Sequence, residues 1–106
     1  MSVQECRIEY LRCVDCKADE YERQGYSVKA NIGGWSKPLE IMGLVPDIRA
    51  KRGDQVIIGK VIRKEELGAV EKEYRKFIEY AGLDDKTSFR VFYVSEDGKP
   101  TLYKIY

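Results

Sequence analysis

A chain of 106 residues makes one domain, residues 1–106, with enough length to bury a single modest core. Its 43% hydrophobic and 35% charged residues exclude a disordered chain, and no apolar run approaches the ~20 residues that span a membrane. The stretch Met1–Glu9 is charged and lacks the apolar centre of a signal peptide, so a cytoplasmic protein is expected.

Ser2–Gln24 reads as a helix stopped by Gly25. Leu11, Val14, Ala18 and Tyr21 form its apolar stripe, and Val3, Cys6, Tyr10 and Cys13 widen it. Tyr26, Val28, Ala30 and Ile32 alternate as a strand, and Gly33–Pro38 follows as a glycine-rich loop. Glu40–Val45 leads into a hairpin whose strands are Pro46–Lys51 and Gln55–Arg63, turned at Arg52-Gly53-Asp54. A second helix is predicted over Lys64–Ala81, with Leu67, Val70, Tyr74, Phe77, Ile78 and Ala81 on its apolar face and Gly82 at its end. Ser88–Val94 is a strand, Glu96–Lys99 a turn and Thr101–Tyr106 the last strand, while Pro38 and Pro100 read as turn punctuation. The order α-β-β-β-α-β-β predicts an α/β fold with a parallel crossover in a mixed sheet.

The net charge of +1 hides an uneven distribution, because residues 26–64 hold eight basic and three acidic side chains. That excess sits on the hairpin, where Arg49, Lys51, Arg52, Lys60, Arg63 and Lys64 suit contact with phosphates, and Lys29 and Lys37 extend the surface. Trp35 in the glycine-rich loop is a candidate to stack on an unpaired base, or else an anchor for that loop. Cys6, Cys13 and Cys16 fall short of the four ligands of structural zinc, and the chain has no histidine, so free thiols are expected. A disulfide or metal shared across a helix–helix dimer is the alternative. One Asn and three Gln beside abundant Lys, Arg and Glu make a thermophile's composition.

Four features together carry a resemblance. They are Gly25-Tyr26 after the first helix, the glycine-rich loop, Pro46-Asp47-Ile48-x-Ala50-Lys51-x-Gly53-Asp54, and a helix leading to the strand Phe89–Val94. In these the chain resembles the restriction-endonuclease-like PD-(D/E)XK superfamily, most closely the archaeal Holliday-junction-resolvase branch. The resemblance implies a mixed sheet flanked by helices and a Mg²⁺ site built from Asp47, a second acid and a lysine. It puts the second acid at Lys60 and the catalytic lysine at Ile62. Protonated lysine does not ligate Mg²⁺, and isoleucine neither donates nor accepts a hydrogen bond.

The expected function is therefore a nucleic-acid-binding domain with a degenerate, inactive site, DNA being favoured over RNA, and with no cofactor. Lys60 is expected beside Asp47, its ammonium standing where the metal would be. One alternative is an active Mg²⁺-dependent endonuclease, with Asp47 joined by a migrated acid at Glu66, Glu71 or Glu73. Another is a protein-interaction module that pairs through its first helix or an edge strand. By analogy with resolvases a homodimer is expected.

Overall fold

The computed structural model describes the backbone of residues 3–106 and the side chains of residues 8–106. The expected helix start at Ser2 and the parts expected of the Val3 and Cys6 side chains lie outside the described residues. The elements are α1 (Val3–Arg23), β1 (Ser27–Ala30), β2 (Ile48–Arg52), β3 (Gln55–Ile62), a 3₁₀ turn (Lys64–Ala69), α2 (Val70–Glu73), α3 (Arg75–Ala81), β4 (Thr87–Val94) and β5 (Pro100–Ile105). The five strands form one sheet in the order β1-β2-β3-β4-β5. All neighbours are antiparallel except β3 and β4, which run parallel as the intervening helical segment predicts.

Helices cover both faces. On one, Cys13, Val14, Ala18 and Tyr21 of α1 pack against Ala30, Ile48, Ala50, Ile57, Val61 and Phe92. On the other, Val70, Phe77 and Ala81 pack against Ile58, Ile62, Phe89 and Val91. Gly59 lets β3 approach its neighbours, because a Cβ there would meet the Ile48 Cβ at 3.3 Å and the Phe92 ring at 3.6 Å. No helix among the described residues is long and apolar enough to cross a membrane.

The structure corrects two expectations. The predicted helix Lys64–Ala81 is three short segments. Its apolar face is as expected, with Val70, Phe77 and Ala81 buried, but Gly68 weakens the helix and Tyr74 breaks it at φ −113°. Tyr74 sits instead against the Phe77 and Phe89 rings, at centroid distances of 6.1 and 6.2 Å. Tertiary packing outweighs local helix propensity there. Pro100 is not turn punctuation but the first residue of β5, opposite Val94. Proline is tolerated at that position because a strand's first residue need not donate to the ladder.

Candidate functional site

Asp47 is the one buried acidic or basic residue among the described residues, with 2% exposure. It stands just before β2. Its own N–H donates to the Gly59 carbonyl at 3.0 Å, and its carbonyl accepts from the Asn31 N–H at 2.8 Å. The pairing Ile48–Gly59, continued by one residue, sets Asp47 opposite Lys60. Standing at the end of the strand, Asp47 receives groups from both faces of the sheet.

Its carboxylate takes three donors. Oδ2 accepts from the Val61 N–H at 2.8 Å. Oδ1 accepts from Lys60 Nζ at 3.3 Å and from the Tyr10 hydroxyl of α1. The expected Asp47–Lys60 neighbourhood is thus present as an ion pair. The Lys60 ammonium also lies 5.8 Å from the centre of the Tyr74 ring. Burial, then the Asp47 charge, holds the Tyr10 hydroxyl above the ordinary tyrosine range, so it stays a proton donor. Tyr74 is pushed up to about 12, first by burial and then by Glu66 and Glu73. The charges of carboxylate and ammonium cancel, as a nearly dry site requires.

This donor set does not fit Mg²⁺. The ion wants oxygen ligands at octahedral angles, and a carboxylate already serving three donors has little left to offer. Ile62 is buried in the apolar cluster on the α2–α3 side. Of the three candidate migrated acids, Glu71 is drawn away to β5, accepting from Lys104 Nζ at 3.3 Å and the Tyr106 hydroxyl at 3.4 Å. Glu66 accepts from Arg63 Nε and the Arg63 N–H, both at 3.1 Å. Glu66 acts on Tyr10 and Tyr74, and Glu73 on Tyr74, through their charge. Cys13 is a buried free thiol pushed up to about 11 by burial, its Sγ 3.2 Å from the Gly98 carbonyl, while Cys16 is free and exposed.

The basic residues divide. Lys29 pairs with Arg49 and Arg49 with Ile58, while Lys51 pairs with Val56. Residues directly opposite on antiparallel strands share a face, and Ile58 and Val56 belong to the α2–α3 side. Lys29, Arg49 and Lys51 therefore form a row on that side of β1 and β2, with Lys29 and Lys51 exposed and Arg49 half-buried. None of the three has an ion-pair partner among the described residues. Arg52 has structural work, donating to the Gln24 carbonyl at 2.9 Å and lying 4.5 Å over the Tyr26 ring. Lys37 is exposed in its loop.

Arg63 and Lys64 lie apart from this row, beyond the far end of β3, roughly 23 Å along the strand from the hairpin turn. They line a cleft of about 660 Å³ at the carboxyl ends of β3 and β4, beside Glu9, Glu65, Glu96 and Asp97. Four acids there oppose a phosphate. The basic residues expected to contact phosphates thus divide into one row on β1 and β2 and two cations in an acidic cleft. Trp35 takes the anchor role of its two expected ones: half-buried, its Nε1 donates to Asp15 Oδ1 at 2.8 Å and its ring packs on the α1-side core, pinning the loop to α1. Sequence reading missed Tyr10 and Tyr74. The signal for Tyr10 was a hydroxyl on a buried helix stripe, which must find a partner once dry.

No protein family, curated protein or solved structure matches the chain.

Proposed function

We propose that the protein is a nucleic-acid-binding domain of restriction-endonuclease-like architecture in which an internal ion pair has replaced the metal site. The row Lys29–Arg49–Lys51 carries this reading. Cations without ion-pair partners among the described residues, two exposed and one half-buried on one side of β1 and β2, contact phosphates without reading sequence. Supporting the architecture are the observed element order, the parallel step from β3 to β4, and Asp47 at the start of the hairpin. DNA is the partner favoured over RNA, and a homodimer follows by the same analogy with resolvases. Asp47 and Lys60 then hold the sheet's end together rather than cut phosphodiesters, and no Mg²⁺ is used.

Binding is tested by fluorescence anisotropy on labelled duplex, single-stranded and four-way-junction DNA across a salt series. Each phosphate contact contributes about one unit to the log–log salt slope. The combined change Lys29→Ala, Arg49→Ala and Lys51→Ala therefore flattens it by up to about three. The same substrates with Mg²⁺ or Mn²⁺ stay intact. No binding at low salt overturns the binding reading, and cleavage abolished by Asp47→Ala overturns the non-catalytic one, with Glu66 and Glu73 then the first acids to test.

A second reading rests on β5, an edge strand whose Leu102, Tyr103 and Ile105 are 47, 45 and 49% exposed. A protein-interaction module would pair through that edge.

A further inference from the structure

Between Pro38 and Pro46 the chain makes a four-residue hairpin turn. The Ile41 N–H donates to the Leu44 carbonyl at 2.7 Å, and the Leu44 N–H returns to the Ile41 carbonyl at 3.0 Å. Met42 and Gly43, the two tip residues, have φ of +53° and +88°. Tight hairpins of this kind favour Asn or Gly at both positions. Met42 is the one non-glycine residue with positive φ among the described residues. Nothing local asks for methionine there, and an asparagine would relieve the backbone.

The strained residue is exposed. Met42 is 54% exposed, and Leu39 and Val45 on either side are 78% and 39% exposed. Ile41 and Leu44 root the turn in the core on the α2–α3 side, so the tip projects from a firm base. Lys76 of α3 clamps it, donating from Nζ to the Met42 carbonyl at 3.1 Å. The row Lys29–Arg49–Lys51 lies on the same side of the sheet. An apolar tip on the same side of the sheet as unpaired cations suits a polyanion that also offers an apolar surface. Nucleic acid offers that where its bases are unstacked.

We infer that the Ile41–Leu44 turn is a wedge whose Met42 side chain enters a base step already opened by a bulge or mismatch. Apolar side chains are used this way to part base steps, at a cost that is least where stacking is already lost. The inference rests on the nucleic-acid reading above and adds a preference to it. The row of cations supplies affinity for any duplex, and the wedge supplies discrimination for the opened one.

The test is anisotropy of the full chain on a bulged duplex and its fully paired counterpart at one salt concentration. The wild type is expected to prefer the bulged duplex by about tenfold, the effect of burying part of one methionine side chain. Met42→Asn removes that preference while leaving affinity for the paired duplex unchanged, and Met42→Leu keeps the preference. Met42→Asn should also raise the Tm by a few degrees, which separates lost discrimination from lost folding. Equal wild-type affinity for both duplexes, or a preference that survives Met42→Asn, overturns the wedge and leaves the binding reading standing. No binding to either duplex overturns both.

Discussion

The β2–β3 hairpin carries an aspartate–lysine ion pair at each end, and the two make opposite cases. Asp54 meets Lys86 at 2.6 Å, but these side chains are 71% and 56% exposed. Asp47 meets Lys60 at the longer distance of 3.3 Å, with side chains only 3% and 21% exposed. The shorter contact is the weaker one. Water and salt screen the exposed pair and leave little net gain. At Asp47 the solvent has been exchanged for Lys60, Tyr10 and the Val61 N–H, so every group depends on the others. Distance ranks ion pairs only at equal burial.

The hardest way to break the buried end is Asp47→Ala. It leaves an ammonium, a hydroxyl and an N–H without their acceptor, and it should cost about 3–5 kcal/mol in denaturant unfolding. Pairing it with Lys60→Met should recover part of that loss, because the stranded charge is gone. A double mutant as unstable as the sum of the two singles would mean that the pair is not coupled.

Ile62→Lys comes next. It returns the lysine that the nuclease resemblance implies, yet places it among the buried apolar side chains of the α2–α3 side. A loss of about 3 kcal/mol is expected by thermal or chemical unfolding. Combining it with Lys60→Glu should therefore lower the yield of folded protein and not produce Mg²⁺-dependent cutting.

The tyrosine beside the pair responds to pH. Tyr74 titrates at about 12 when folded against an ordinary 10.0, so the folded state holds its proton longer than the unfolded one. This contribution to stability is complete below pH 10 and is lost as the pH rises from there to about 12. Urea midpoints across that range should fall less steeply for Tyr74→Phe than for the wild type. Identical slopes would show that Tyr74 does not contribute.

The smallest effect belongs to the exposed end. Lys86→Ala should cost less than about 1 kcal/mol, and the cost should shrink further in high salt. A loss matching that of Asp47→Ala would erase the contrast between the two pairs.

Much of the site could be read along the chain. The Asp47–Lys60 contact follows from the length of the Arg52–Asp54 turn and the period of two in a strand, both local properties. The apolar face of residues 67–81 was legible for the same reason, since a helical period holds whether or not the helix is continuous. The division of the basic residues was not. Arg63 and Lys64 resemble Arg49 and Lys51 in sequence, and only the approach of Glu9, Glu96 and Asp97 around the β3 end sets them apart.

The sequence by itself determined the order of elements, the mixed sheet's hairpin and which side chains prefer water, because these depend on neighbours a few residues away. Tertiary structure alone decided what Asp47 became. Its hydroxyl partner Tyr10 lies 37 residues earlier in the chain, and Lys60 also faces the Tyr74 ring on the α2–α3 side of the sheet. Trp35 was likewise decided in three dimensions, by an aspartate 20 residues away. A carboxylate's chemistry depends on the donors and dielectric around it, and these are assembled only when distant segments pack.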